Sequence, residues 1–396
     1  MPLGLYLSVP FCRTKCTYCN FASDVFSRAV FDRYVDRVCA DIHSTPELAR
    51  AMDGRVETDV DSVYLGGGTP TILDSQQLER LFVTVKQNFG WRPETEVTVE
   101  CAPGTLSPVV LETLLKCGVN RVSLGVQSFV DQEAASVGRL HKRDTVLDDM
   151  VRLRRAGITN INVDLIAGLP HQTIESWTCS LESVIAHGVP HVSVYMLEVD
   201  EDSRLGRELI AGGTKYHAHF VPDEGLTADL YEMACERLNA AGSRQYEISN
   251  FAREGVESRH NLKYWTRQPY LGFGVDAHSM LRSTGETCEA VRFSTSDSLE
   301  EYVAGAAMRR TEVSRLGALE ETFFLGLRLT GGVDLEKVRQ TVGTFVVTAL
   351  APVLVDLAGV GLIDWEGDSV RLTPRGRLLS NEVFERFLSV PSHAST

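Results

Sequence analysis

The chain has 396 residues, enough for two or three domains with sizeable buried cores. Its 39 basic and 53 acidic residues give a formal net charge of −14, so charge alone gives it no affinity for nucleic acid or anionic lipid. The longest uncharged stretch, 341–355, is shorter than the roughly 20 apolar residues of a spanning helix, and no signal peptide precedes the first strand. We therefore expect a cytoplasmic protein that binds no nucleic acid and has no transmembrane segment.

Short β-branched runs alternate with amphipathic helical patterns in the first half of the chain. The predicted strands are 5–9, 61–65, 96–100, 120–124, 160–166 and 191–195. Apolar residues recur at helical spacing in the intervening segments 31–42, 75–89, 106–117 and 144–156. This alternation predicts right-handed βαβ units and a parallel sheet. Six units are too few for a closed eightfold barrel, so we predict an α/β fold with a partial (β/α)6 barrel over residues 1–222.

The pattern changes twice after this segment. A helix at 223–241, a strand at 245–248 and a loop rich in Asn, His and Gly predict a small α+β region over 223–315. Further on, the predicted elements are helices at 320–329, 335–341 and 344–358, strands at 362–365 and 369–372, and a last helix from Pro374. This order predicts a winged-helix-like domain over 316–396. The domain has no evident basic recognition helix, which favours a packing or partner-docking role over DNA binding.

Three of the nine cysteines stand together directly after the first predicted strand, in Cys12-Arg-Thr-Lys-Cys16-Thr-Tyr-Cys19. Three thiolates at this spacing can surround one compact centre, and soft sulfur ligands select zinc or an iron–sulfur cluster. A structural zinc site needs a fourth ligand, which neither Asn20-Phe21 nor a second Cys or His pair supplies. A [4Fe–4S] cluster held by three cysteines instead leaves one iron free to bind another molecule. The spacing therefore predicts a [4Fe–4S] cluster on Cys12, Cys16 and Cys19.

Unusual residues recur where the predicted strands end, which is where the sites of parallel α/β barrels gather. The second strand continues into Gly66-Gly-Gly-Thr-Pro-Thr71, the third ends in Glu100, and the fourth continues into Gly125-Val-Gln127. The fifth strand carries Asp164, and Arg139 lies between the fourth and fifth strands. Glycines let the backbone approach a ligand, the carboxylates and the amide can bond hydroxyl or amino groups, and arginine can pair with a carboxylate. We expect these residues to form one polar site beside the cysteines.

The segment Tyr6-Leu-Ser-Val-Pro-Phe-Cys-x3-Cys-x-Tyr-Cys-x-Phe21 resembles the start of the coproporphyrinogen-dehydrogenase-like branch of the radical-SAM family. The resemblance continues through 246–251, 272–274 and 321–326. In that family the free iron chelates S-adenosylmethionine, and an electron from the cluster cleaves it to a 5′-deoxyadenosyl radical. The resemblance implies contacts to S-adenosylmethionine at Tyr6, Tyr18, Gly67, Gly68, Thr69, Glu100, Gln127, Arg139 and Asp164.

Two differences from the oxidases of that branch indicate which of its members the chain resembles. The oxygen-independent oxidases have sequences that resemble CxxxCxYCxC, whereas this chain has Phe21 at the position of the fourth cysteine. Those oxidases also carry an extension ahead of the cluster strand, whereas the cluster strand of this chain starts at residue 3. In both respects the chain is similar to the heme chaperones of the branch. His260-Asn-Leu-Lys-Tyr264 matches the HNxxY motif that those chaperones associate with heme. The resemblance therefore implies a heme site at His260 and Tyr264, with the imidazole as a candidate axial ligand.

Three hypotheses follow, and they leave open whether the protein is an enzyme. The first is a heme chaperone that passes heme to an acceptor such as a respiratory cytochrome, takes an electron from a donor, and has no assigned catalytic residue. Peripheral contact with a membrane stays open for it. The second is an oxygen-independent coproporphyrinogen III oxidase, which decarboxylates propionates in porphyrin biosynthesis. The third is a radical-SAM methyltransferase. Phe21 and the missing extension favour the first.

Overall fold

The computed structural model describes residues 1–342 and 344–388, and its main element is a mixed sheet of 13 strands. The strands are β1 (Leu3–Val9), β2 (Gly54–Arg55), β3 (Asp59–Gly67), β4 (Gly90–Cys101), β5 (Arg121–Gln127), β6 (Asn160–Ala167), β7 (His191–Met196), β8 (Arg244–Gln245), β9 (Asn250–Ala252), β10 (Tyr270–Phe273), β11 (His278–Ser283), β12 (Ala290–Ser294) and β13 (Arg309–Val313). Six of them are parallel neighbours in the order β1-β3-β4-β5-β6-β7. The predicted α/β fold built from six parallel strands is confirmed.

Helices alternate with the parallel strands, and further helices follow β7. They are α1 (Phe31–His43), α2 (Thr45–Ala51), α3 (Ser75–Asn88), α4 (Pro108–Cys117), α5 (Asp131–Ser136), α6 (Arg143–Arg155), α7 (Ile174–Ala186), α8 (Arg204–Ile210), α9 (Glu224–Ala240), α10 (Arg259–Trp265) and α11 (Leu299–Ala304). Local sequence sets their ends: Asp74 and Gln77 form a capping box at the start of α3, and Gly118, at φ +90°, ends α4. In the described part of the chain, no helix is both long and apolar enough to cross a membrane.

Alternate residues of the parallel strands face two different environments. Val122, Leu124 and Val163 are fully buried in the apolar core. Their neighbours Arg121, Ser123, Asp164 and others line a polar cavity on the inner side of the curved sheet. This alternation follows from the period of two in a β-strand, and it gives the barrel a polar interior.

The middle region extends the same sheet at both ends. Strand β10 pairs with β1 in parallel, and β9 pairs with β7 in antiparallel orientation. The loop predicted around the HNxxY motif was wrong, because residues 259–265 form helix α10. Ser258 caps this helix by accepting a hydrogen bond from the Asn261 amide, but the helix is only seven residues long and shows no apolar period.

A second apolar core lies beyond β13. Its helices and strands are α12 (Arg315–Gly326), α13 (Leu335–Val342), α14 (Thr344–Gly359), α15 (Pro374–Leu378), α16 (Ser380–Leu388), β14 (Val333–Asp334), β15 (Ile363–Glu366) and β16 (Ser369–Leu372). The predicted helices and the β15–β16 hairpin are present in the predicted order. Ile248, from the loop between β8 and β9, packs into this second core and ties it to the main sheet.

Candidate functional site

A cavity of about 500 Å³ lies at the carboxyl ends of the parallel strands and continues along their inner face. All three clustered cysteines line it. The residues predicted to contact S-adenosylmethionine that also line it are Tyr18, Gly67, Gly68, Thr69, Glu100, Gln127, Arg139 and Asp164. The structure therefore brings the cluster loop and the strand-end residues together in one cavity.

The end of β3 holds the cysteine loop through its backbone. The Gly68 amide donates to the Val9 carbonyl at 2.9 Å, and the Thr69 amide donates to the Phe11 carbonyl at 2.8 Å. A Cβ at Gly68 would lie 2.7 Å from the Val9 oxygen and 3.1 Å from the Cys12 Sγ. Only glycine lets the two segments approach this closely, so the glycine run shapes the cluster loop as well as the cavity.

The cysteine loop offers sulfur ligands in a partly shielded setting. Cys12, Cys16 and Cys19 are free thiols of intermediate exposure. Burial raises the pKa of the Cys12 thiol, although hydrogen bonds from Ser23 and Thr69 act to lower it. Within residues 1–342 and 344–388, no three His, Cys, Asp or Glu side chains are close enough to ligate a single metal ion. A [4Fe–4S] cluster does not require the three sulfurs to meet at one ion, because each cysteine binds a different iron atom. The donor set is therefore compatible with such a cluster.

Two carboxyl groups, Glu100 and Asp164, form the acidic part of the cavity. Glu100 Oε1 accepts from the Tyr64 hydroxyl at 2.9 Å, and Oε2 accepts from the Gly67 amide at 3.1 Å. Burial and the nearby Asp164 raise the pKa of Glu100 to about 7. Asp164 accepts from Ser123 and Asn162 at 3.0 and 2.7 Å, and burial raises its pKa also. Both carboxyl groups are fixed in position and able to receive hydroxyl or amino donors.

Arg139 supplies a positive charge to the same cavity. Its Nη2 lies 3.5 Å from the Tyr18 hydroxyl, and its buried Nε has no hydrogen-bond partner. Gly125 makes room for it, since a Cβ there would lie 2.8 Å from Arg139 Nη2. An arginine with an unused donor beside the cysteine loop fits a ligand carboxylate. Together with Glu100 and Asp164, it fits S-adenosylmethionine, which carries both a carboxylate and hydroxyl and amino donors.

Two other predicted residues, Tyr6 and Tyr264, do not line this cavity. They line a smaller cleft of about 260 Å³, which shares Gly67 with the large cavity and is also bordered by Phe21 and His278. Tyr6 lies on β1, and burial raises the pKa of its phenol. Tyr6 nonetheless lies beside the large cavity, since a Cβ at Gly67 would lie 3.3 Å from the Tyr6 hydroxyl, and the two spaces share Phe21, Ser23 and Gly67.

His260 lies inside the fold. The imidazole is 1% exposed and packs against the rings of Tyr6 and Tyr64, which belong to the first two parallel strands β1 and β3. Its Nδ1 is 3.0 Å from Ser62 Oγ, and its Nε2 is 2.8 Å from the Tyr264 hydroxyl. Burial, with positive charge from Lys263 and Arg121, lowers its pKa to about 3, so the ring is neutral. Both nitrogens are thus occupied by protein partners.

Several residues of the cavity were missed at the level of sequence. They are Tyr64, Arg121, Ser123, Asn162, Ser193 and Tyr195. A signal was present in Arg121-Val-Ser-Leu-Gly-Val-Gln127 and in Asn160-Ile-Asn-Val-Asp164, where polar and apolar residues alternate. In a strand buried on both sides, such alternation indicates a polar interior.

Comparison with known proteins identifies the superfamily to which the fold belongs. Residues 6–183 match the model of the radical SAM superfamily, and residues 313–379 match that of the HemN C-terminal domain. The solved coproporphyrinogen III oxidase HemN of Escherichia coli, a radical SAM enzyme, is 26% identical with a TM-score of 0.82, over 98% of this chain and 90% of that one. The fold is that of a radical SAM protein, and the three clustered cysteines lie within the matched segment 6–183.

The relatives then give the family. The heme chaperone HemW of Bacillus subtilis is 35% identical over 97% of this chain and 98% of its own length. HemW of Mycobacterium tuberculosis H37Rv is 33% identical over 98% of this chain and 95% of its own length. The chain belongs to the HemW family of radical SAM proteins.

Proposed function

We propose that this protein is a heme chaperone, which binds a [4Fe–4S] cluster, S-adenosylmethionine and heme and passes the heme to an acceptor protein. The observation that carries the proposal is the similarity to proteins named as heme chaperones over nearly the full length of both chains. Phe21 supports the proposal, because the oxidase pattern has its fourth cysteine at this position. The acceptor is of the respiratory-cytochrome type, an electron donor serves the cluster, and the site of action is the cytoplasm.

Each group in the large cavity has a separate role in holding the cofactors. Cys12, Cys16 and Cys19 hold the cluster, and Arg139 orients the S-adenosylmethionine carboxylate through its unused Nε. Glu100 and Asp164 receive its amino or hydroxyl groups. The bound cluster supplies one electron that can cleave S-adenosylmethionine. The protein contributes position and a shielded pocket, and no residue is assigned to covalent catalysis.

The heme is proposed to bind at the smaller cleft through His260 and Tyr264. Tyr264 borders that cleft and is bonded to His260 Nε2, so the imidazole lies one side chain behind the cleft wall. A neutral imidazole offers a lone pair to iron, and the low pKa of His260 keeps it neutral throughout the physiological range. Displacement of the Tyr264 hydroxyl would open Nε2 to heme iron entering from the cleft.

Anaerobic heme titration of the reconstituted protein tests this proposal. The parent should bind about one heme per chain, and His260→Ala should lose most of that binding with its iron–sulfur content intact. Ser62→Ala is the matched control, since it breaks the same buried hydrogen bond at Nδ1 but keeps the imidazole. Equal heme binding in His260→Ala and the parent would contradict the assignment of the axial ligand.

One observation favours the oxidase as a second candidate. The structural similarity to coproporphyrinogen III oxidase extends over 98% of the chain with a TM-score of 0.82, so the two proteins share the whole architecture. Architecture alone does not define an activity, because one fold supports several chemistries. Loss of carboxyl groups from coproporphyrinogen III under strict anaerobiosis would establish this alternative.

A further inference from the structure

Arg121 is a buried arginine with no hydrogen-bond partner. It is the first residue of β5, its side chain is 1% exposed, and it lines the inner part of the large cavity. Its Nε and Nη2 are buried without a partner, and it forms no ion pair within the described residues. Nε and Nη2 are adjacent donors of one guanidinium fork, the pair that takes a carboxylate through two parallel hydrogen bonds.

The residues beside Arg121 in the sheet repeat this feature. Strand register places Thr98 of β4 on one side and Asn160 of β6 on the other. Thr98 Oγ1 and Asn160 Oδ1 are also buried without a partner. Buried polar atoms are nearly always satisfied in folded proteins, and the Thr98 hydroxyl can donate to the same acceptor as the Arg121 fork, whereas Asn160 Oδ1 can only accept.

The position of Arg121 and its two neighbours separates them from the S-adenosylmethionine residues. Gly125 and Gln127 lie at the carboxyl end of β5, whereas Arg121 lies at its start, six residues before Gln127. At the strand rise of about 3.3 Å per residue, the two ends are about 20 Å apart. Arg139, at the outer end, provides for the S-adenosylmethionine carboxylate, so Arg121 is left without a role in binding that cofactor.

An isolated buried charge destabilises a fold unless a partner compensates for it. Asp164 is near enough to interact electrostatically with Arg121, but it is hydrogen-bonded to Ser123 and Asn162 and makes no ion pair with the guanidinium. Arg328 and Arg377 also line this cavity and add to its positive charge. This charge and the free fork fit an anionic, planar group such as a carboxylate.

We propose that Arg121, with the Thr98 hydroxyl beside it, forms a carboxylate subsite at the inner end of the large cavity, and that it receives one propionate of the tetrapyrrole cargo. The inference rests on the proposed heme-chaperone function for the identity of the ligand. Arg121 is near enough to His260 to interact with it electrostatically, so one tetrapyrrole can reach both groups. Recognition of a propionate inside the barrel would allow the protein to distinguish heme from uncharged porphyrins of the same size.

Binding of heme and of heme dimethyl ester, in which both propionates are esterified, tests the subsite. In the reconstituted full chain, Arg121→Gln should bind heme about 10- to 100-fold more weakly than the parent, the loss typical of a charge-assisted hydrogen bond. Its affinity for the dimethyl ester should equal that of the parent. Arg154→Gln is the matched control, since it removes a part-buried arginine of α6 that donates to the His187 carbonyl and does not line the cavity.

The outcomes separate the inference from the function on which it rests. Equal losses for heme and the ester, or no loss for either, would show that Arg121 does not recognise a propionate, and would overturn the subsite. A parent that binds neither porphyrin would contradict the proposed function and the propionate as ligand. The thermal unfolding midpoint of the ligand-free protein tests whether the charge of Arg121 stabilises the fold. Arg121→Met should raise this midpoint by several degrees. A lowered midpoint would identify Arg121 as a structural ion and contradict the subsite.

Discussion

At the scale of single residues, Cys16 is central because the cluster site has only three sulfur ligands. Cys16→Ala should abolish most of the bound iron and sulfide after anaerobic reconstitution, since the remaining two thiolates cannot hold a four-iron centre. Cys39→Ala is the control: this half-buried thiol lies in α1 beside Thr84, and its loss should leave iron and sulfide unchanged. Normal iron content in Cys16→Ala would contradict the ligand assignment.

Glu100 should make the free energy of unfolding depend on pH. Because burial and Asp164 raise its pKa from 4.5 to about 7, the native state holds a proton between these pH values that the unfolded state has released. The free energy of unfolding therefore falls as pH rises from 4.5 to 7, by up to about 3 kcal/mol. Denaturant unfolding of the S-adenosylmethionine-free protein at pH 5, 6, 7 and 8 should show a smaller fall for Glu100→Gln than for the parent.

The control for this prediction is a carboxyl group on the surface. Glu112 is exposed on α4 and paired with Lys116, so Glu112→Gln should keep the pH dependence of the parent over this interval. Parallel pH profiles for Glu100→Gln and the parent would show that Glu100 has no raised pKa in the folded protein.

At the scale of secondary structure, the junction between β3 and the cysteine loop is the most sensitive to volume. Gly68→Ala would place a methyl group against the Val9 and Phe11 carbonyls, at 2.7 and 2.8 Å before any shift. We expect the loop carrying Cys12 to move and the cluster content to fall severalfold, as measured by iron analysis. Gly331→Ala, where nothing lies within 4 Å of the new atom, should retain the parent's content. A fully loaded Gly68→Ala protein would contradict this view of the loop.

The parallel strands and their connecting helices were predictable because their apolar periods are long and regular. The predicted strand at 160–166, for example, appears as Asn160–Ala167. Helix α10 was not predictable, since it has seven residues and its buried members, His260 and Lys263, are polar. Its polar residues are buried through long-range partners, such as Ser62 for His260 and Asp61 for Lys263. Partners so distant in sequence leave no local pattern.

The outer part of the large cavity could be predicted from the sequence, and its inner part could not. Cysteine spacing and strand-end glycines mark the cluster and S-adenosylmethionine region, and the structure groups these residues in one cavity. Arg121 is the first residue of β5, and its unpaired fork becomes apparent only when the register with β4 and β6 is known. Likewise, the placement of Tyr6 in the smaller cleft depends on the pairing of β1 with β10 and on the neighbouring rings of Tyr64 and His260, and sequence spacing contains neither.

At the scale of the whole molecule, two cores meet around the large cavity. The main core contains the sheet, and the second contains α12–α16 with the β15–β16 hairpin. Arg377, Ser380 and Asn381 of the second core line the same cavity as the cluster cysteines. The C-terminal region therefore forms part of the wall of the cavity, which agrees with the packing role that its lack of a basic recognition helix suggests.

Heme transfer under strict anaerobiosis is the measurement that tests the heme-chaperone proposal most directly. The reconstituted protein, loaded with heme and S-adenosylmethionine, is mixed with an apo-cytochrome acceptor, and a parallel sample receives coproporphyrinogen III. We expect heme to appear on the acceptor, and we expect the porphyrinogen to keep all its carboxyl groups. Decarboxylation of coproporphyrinogen III without transfer of heme would contradict the proposal and establish the oxidase in its place.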